Sequence, residues 1–329
     1  MKHIWRVVAV AVSVWAGAAW AEDLKPVRVG ALQFGTVNWA LDAVKQNGLD
    51  KKYGVDVQVV ELSGKDSSHV AIQGGAVDVI VTDWIWVTRQ RAEKRDYTFV
   101  PYSNAVGSVM VPANGAKTLA DLQGKKLGVA GGPVDKTWLL LRAYSQKTIG
   151  KDLKDVLEPQ FAAPPLLNEL AQKGELDGVV NFWHFAARLQ AAGMQKLVDM
   201  PEILKTLGIE RPLPLIGWVF SEKFAADNPQ AVQGFLQAAR DAGALLLESD
   251  AEWERLKPLM KADDAAIFTA LRDAYRAGIP ACFGEEEVTA AKSTFSVLAA
   301  LGGKELAGDS TEVTAGTFWD GFKLPACGK

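Results

Sequence analysis

Short apolar runs recur along the chain, each followed by a polar or glycine-rich turn and then by a stretch whose apolar positions return every three or four residues. Val27-Arg28-Val29-Gly30, Val55 to Val60 and Val77 to Val81 read as strands. Between them, Trp39 to Gln46 and Ser67 to Gln73 have helical spacing. The alternation is βαβαβ and predicts a parallel sheet. Gly48 and Gly54 bracket one turn, and Gly74-Gly75 ends the second helix.

A second series begins at Lys117. Leu119 and Leu122 with the Gly124 stop fit one amphipathic turn, and Leu127-Gly128-Val129-Ala130 is apolar enough for a strand covered on both faces. Gly131-Gly132-Pro133 turns the backbone sharply, and Asp135 is placed to cap a helix through Trp138-Leu139-Leu140-Leu141. Such a loop presents free N–H groups at a helix start, where a small polar or anionic ligand can sit. It matches neither a P-loop nor a dinucleotide fingerprint. Leu167, Leu170 and Ala171 continue as a helix, and Leu176 to Val180 as a strand.

Two pairs of extended runs separate these series. Phe99 to Tyr102 leads through Ser103 to Gly107 into Ser108 to Val111, and Pro212 to Leu215 leads into Ile216 to Phe220. Strands of that kind leave one lobe and enter another. From Asp227-Asn228-Pro229 onward the spacing is helical to Gly302.

At the N-terminus, Lys2, His3 and Arg6 precede an apolar run from Val7 to Ala19 that ends in Ala19-Trp20-Ala21. This is the pattern of a signal peptide over residues 1–21 and predicts an exported chain cleaved before Glu22. The remainder is longer than one core usually spans, so two lobes are expected. A net charge of -3 with interspersed signs argues against a nucleic-acid surface, and Arg89, Arg91, Lys94 and Arg95 read as a solvated helix face. In an oxidising compartment the two cysteines, Cys282 and Cys327, are expected to pair. No zinc-ligand spacing and no GxSxG elbow occurs.

Four segments in order carry a family resemblance: Gly75-Ala76-Val77-Asp78, Lys117 to Val129, Gly174-Glu175-Leu176-Asp177-Gly178-Val179 with the Ala186-Ala187-Arg188 that follows, and Phe220 to Phe224. Together they resemble the periplasmic solute-binding proteins of ABC importers, in the branch of nitrate, taurine, alkanesulfonate and thiamine-precursor binders. The resemblance implies a type II periplasmic-binding-protein-like α/β fold with a ligand cleft between two lobes joined by two crossings. Lobe 1 would be residues 22–104 with 216–329, and lobe 2 residues 105–215. It implies a periplasmic monomer that binds a small organic molecule or anion of the nitrate, sulfonate, taurine or pyrimidine-like class and hands it to a membrane permease. No cofactor, catalytic residue or metal is expected. Two other roles occur on this fold: an accessory protein of a secreted dehydrogenase, and a pyrimidine-forming enzyme whose cysteine-rich motif this chain lacks.

Ligands of open parallel sheets bind outside the carboxyl ends of the strands. The candidate ligand-binding residues are therefore Thr36, Asn38 and Trp39 after the first strand, Asp83 and Trp84 after the third, and Gly131, Gly132, Asp135, Lys136 and Trp138 on the glycine loop. Asn181, Trp183 and His184 follow a strand of the second lobe, and Trp218 sits at a crossing. Flat rings suit a ligand with an aromatic, heterocyclic or cationic part. Core packing of a tryptophan and helix capping by Asp66, Asp83 or Asp135 are the competing readings.

Overall fold

The structure, a computed structural model, describes residues 24–211 and 213–327. The expected signal peptide and Pro212 of the second crossing lie outside the described residues. The first series forms β1 (Lys25–Leu32), α1 (Val37–Gln46), α2 (Leu49–Lys52), β2 (Val55–Leu62), α3 (Lys65–Gln73), β3 (Val79–Asp83), α4 (Trp84–Ala92) and β4 (Tyr97–Ser103). The second forms β5 (Ser108–Val111), β6 (Lys126–Val129), α5 (Lys136–Ile149), α6 (Leu153–Val156), β7 (Glu158–Phe161), α7 (Pro164–Gln172), β8 (Gly178–Asn181), α8 (Trp183–Ala191), β9 (Gln195–Val198) and α9 (Met200–Thr206). The chain returns through β10 (Ile216–Ser221) to α10 (Glu222–Asp227), α11 (Pro229–Glu248), α12 (Asp250–Met260), α13 (Ala265–Ala277) and α14 (Glu285–Ala307).

Two five-stranded sheets result, in the orders β2-β1-β3-β10-β4 and β7-β6-β8-β5-β9. Within each sheet four strands run in one direction, and the strand that enters from the other series, β10 or β5, runs antiparallel between its two neighbours. The expected parallel sheet is thus mixed, because a strand arriving from the other lobe enters in the opposite direction. The third strand begins at Val79 rather than Val77, since Asp78 is engaged in accepting Arg28 N–H and Nε–H at 2.8 and 3.0 Å. That shift carries Thr82 and Asp83 into the strand's last positions.

Each sheet has helices on both faces, and Val27, Val29, Val79 and Val129 are fully buried. One apolar cluster is continuous between the lobes. In it Phe295 and Leu298 of α14 share a core with Trp84 of α4 and Leu139 of α5, so α14 packs on both lobes rather than on lobe 1 alone.

The Cys282–Cys327 disulfide is present and holds the C-terminal segment down. Phe99 N–H donates to Thr317 O and Trp319 N–H to Phe99 O, both at 2.9 Å, covering the exposed edge of β4. Here the structure corrects the reading of the basic group on α4. Arg91 donates to Ala315 O at 2.6 Å and to Tyr97 O at 3.0 Å, and Arg89 to Glu305 O at 3.4 Å, so both bind the C-terminal region. Only Lys94 and Arg95 form an open surface.

Candidate functional site

The carboxyl ends of β1, β2 and β3 face those of β6 and β8, and the lobes touch there through two contacts between side chains, beside which Arg188 Nη2 of α8 donates to the Met260 carbonyl oxygen at 2.7 Å. The first is ionic. Asp83 closes β3 and caps α4, its Oδ1 accepting Trp86 N–H at 2.9 Å. Its Oδ2 accepts from Lys65 Nζ, at the start of α3, and from Lys136 Nζ, at the start of α5 in the other lobe, both at 2.8 Å. Burial alone would raise the Asp83 pKa; the charges of Lys136 and Lys65 overcome it and hold the carboxyl well below the usual range. Burial pushes Lys136 down against the pull of Asp83.

Asp135 lies on the lobe 2 side of this pair. Its Oδ1 caps α5 by accepting Trp138 N–H at 3.1 Å, and burial raises its pKa against the charge of Lys136. Gly131 and Gly132 both have φ +82°, and a Cβ on Gly131 would stand 2.7 Å from Asp135 Oδ2. The glycine pair is what lets the loop fold over that carboxylate.

The second contact is aromatic. Trp183, at the start of α8 in lobe 2, meets Trp39 of α1 and Tyr275 of α13 edge-on, with ring centroids 6.0 Å apart in each case. Behind it Trp39 packs on Trp253 and Tyr275. Tyr275 and Tyr102 share a 2.7 Å hydroxyl contact, tying α13 to the first crossing strand. A cavity of about 210 Å³ opens beside Trp183 on the hinge side, lined from both lobes by residues that include Asn104, Gly107, Ala187 and Gly278.

The remaining candidates divide. Trp84, Trp138 and Trp218 are 0, 2 and 4% exposed, which corrects the expectation that their rings face a ligand. Trp84 packs on Phe295 and Phe318, Trp138 on Phe161, and Trp218 on Tyr102 and Phe235. Asn181 is also turned inward: its amide donates to Pro164 O and Asn168 Oδ1, and its Oδ1 accepts Phe182 N–H. Asn38 donates to Leu32 O at 2.8 Å and so fixes the loop after β1; Thr36 sits at the N-cap of α1 without a side-chain cap bond. His184 has a buried Nδ1 without a partner, and burial holds its pKa down at about 4.

Sequence reasoning missed three features. Lys65 joins the ionic contact. His69, one turn further along α3, places Nε2 3.0 Å from Thr82 Oγ1 and stacks on Trp86 at 4.4 Å, and burial lowers its pKa to about 4. Phe34 lies two residues after β1, Phe161 ends β7 and Phe182 follows β8, and they are 75, 42 and 37% exposed. Their signal in the sequence is an aromatic residue at or just past the end of a strand.

The family profile described as NMT1/THI5 like matches residues 39–252, most of both lobes. The chain belongs to the NMT1/THI5-like family. Solved structures of other proteins have the same two-lobe periplasmic-binding-protein fold as this member. The periplasmic aliphatic sulphonate binding protein SsuA of Escherichia coli is 20% identical with a TM-score of 0.70, over 93% of this chain and 94% of that one. The alkanesulfonate-binding SsuA of Xanthomonas axonopodis pv. citri, bound to MOPS, is 18% identical with a TM-score of 0.68, over 90% and 99%. The periplasmic nitrate-binding protein NrtA of Synechocystis PCC 6803 is 13% identical with a TM-score of 0.57, over 76% and 70%. No curated protein matches this NMT1/THI5-like chain. At these identities the structural likeness shows the fold.

Proposed function

We propose that this chain is the periplasmic substrate-binding subunit of an ABC importer and captures a small organic molecule between its lobes. The observation that carries the reading is the pair of contacts, Asp83–Lys136 and Trp39–Trp183, by which the strand ends of one lobe meet those of the other. Both are made of groups that a hinge motion would expose together, so opening would present a polar and an aromatic wall to a solute and closing would cover it. A permease then reads the closed shape. The limits proposed for the lobes, 22–104 with 216–329 and 105–215, are supported by the sharing of one sheet among strands of residues 25–103 and 216–221.

The role is binding rather than catalysis, and the ligand-facing set is proposed as Trp39, Asp83, Lys136 and Trp183 with Lys65 and the exposed phenylalanines. Relatives of this fold that bind sulfonates or nitrate make those solutes the first to screen, followed by pyrimidines and amines. A thermal-shift screen of the mature chain followed by calorimetry should find one solute that binds at micromolar concentration or below. A screen with no hit, together with a native gene neighbourhood that has no permease and no ATPase, would sink the importer reading.

A further inference from the structure

Lys65 and Lys136 reach the same atom from opposite sides of the cleft. Each Nζ lies 2.8 Å from Asp83 Oδ2, while Oδ1 is held by Trp86 N–H. Two ammonium groups from different lobes converging on one oxyanion form the arrangement by which a cleft would grip an anionic solute. Here the oxyanion is the protein's own. We propose that Asp83 is a built-in counter-ion that keeps sulfonates and inorganic anions out of this cleft, so that the solute is electrically neutral where it meets the two lysines. The proposal rests on the solute-capture reading above and deepens it by naming the class of solute.

The charges facing this point support a neutral partner. From lobe 1 come Lys65, Asp66, His69 and Asp83, and from lobe 2 come Asp135 and Lys136. Lys65 and Lys136 are therefore opposed by Asp83 and by Asp135, with exposed Asp66 beside Lys65. An anion entering here must pull Lys136 away from Asp83 or stand within a few ångströms of a buried carboxylate; either course separates charge where little water screens it. A cation fares no better. A carboxylate offers about four acceptor positions; three are filled by Trp86, Lys65 and Lys136, and the two ammonium groups repel a third. A neutral hydroxyl, amide or ring nitrogen can bond to the open flank of Lys65, whose side chain is 49% exposed, without disturbing the cluster.

Removing the internal anion should convert the cleft into an anion site. Asp83→Asn keeps an oxygen to cap α4 at Trp86 N–H and releases both ammonium groups. Sulfate, nitrate and ethanesulfonate are titrated calorimetrically into the full mature chain at low ionic strength, with thermal shifts compared against matched chloride. The wild type should give no saturable heat with any of the three. Asp83→Asn should give a saturable isotherm with at least one of them, about 10- to 100-fold tighter than the weakest binding the titration resolves, the scale of one charge-assisted hydrogen bond gained, and adding Lys136→Met should abolish the gain. Saturable micromolar binding by the wild type that Lys136→Met weakens overturns the proposal, and so does a folded Asp83→Asn chain that gains nothing. Should Asp83→Asn fail to fold, the wild-type and Lys136→Met titrations still decide: binding overturns the counter-ion role and its absence supports it. The two readings fail separately. A wild type that captures a sulfonate keeps the importer reading and loses this one; anion binding gained by Asp83→Asn in a chain that captures no solute does the reverse.

Discussion

The Trp183 ring stands at 89° to that of Trp39 with centroids 6.0 Å apart, and the two residues come from different lobes. An edge-to-face pair contributes about 0.5–1.5 kcal/mol beyond the area it buries. The contact therefore helps hold the two lobes together at their strand ends. Trp183→Ala should increase the radius of gyration in small-angle scattering without lowering the secondary-structure signal. An unchanged radius would show that the lobes are held together elsewhere.

Protonation of His69 and His184 should destabilise the fold in a defined window. Burial is the first cause in each, and both are held down to about 4 from an ordinary 6.5. Between those values the unfolded chain binds more protons than the folded one. Stability is thus complete above about pH 6.5 on their account and is lost as pH falls through 4, by at most about 3 kcal/mol for His184 and by less for the partly exposed His69. Melting temperatures at pH 7.5, 6 and 5 measure the slope. His69→Gln should flatten it; an unchanged slope in that variant would place the protonation elsewhere.

The disulfide closes a loop of 45 residues and anchors the segment that pairs with Phe99 on the edge of β4. Replacing Cys282 and Cys327 by serine should cost about 2–4 kcal/mol and make the region around Trp319 sensitive to limited proteolysis. Urea denaturation with and without reductant checks the first part, and the sites of cleavage check the second.

Backbone packing at the first crossing permits a sharper test. A Cβ on Gly107 would lie 2.4 Å from the Asn181 carbonyl oxygen, where β5 meets β8, whereas one on Gly64 meets nothing within 4 Å. Gly107→Ala should cost about 1–3 kcal/mol by forcing that strand pair apart. Gly64→Ala, in extended backbone, should stay within about 0.5 kcal/mol of the parent. Denaturation midpoints of the two variants measured side by side decide it.

Much of this architecture was legible because its signals are local. Alternation of apolar runs with helical spacing marked β1 to β3 and their helices, and the extended runs at Phe99 to Val111 and Pro212 to Phe220 marked the crossings. Capping by Asp83 and Asp135, the reading that competed with ligand contact, was legible because an acidic residue one position before a helix can accept its free N–H groups. The site was less so. Trp84 and Trp183 each open a helix just after a strand, yet the first is sealed against Phe295 and the second reaches the other lobe. Both occupy the first helical position, so helix geometry does not separate them; what packs on each does, Phe295 of α14 on Trp84 and Trp39 of α1 on Trp183.

The amino-acid sequence by itself determined the order of elements, the two crossings and the pairing of the only two cysteines, since each depends on periodicity, turn chemistry or elimination within the chain. Tertiary structure alone decided that Lys65, Asp83 and Lys136 meet at one oxygen atom. Lys136, 53 positions from Asp83, is brought there by the meeting of one sheet's strand ends with another's, whereas Lys65, 18 positions away, comes from the start of α3, after a strand of the same sheet. Ion pairing of that kind has no sequence period: it depends on the distance between two lobes, which is set by α14 and the crossings rather than by any residue of the cluster.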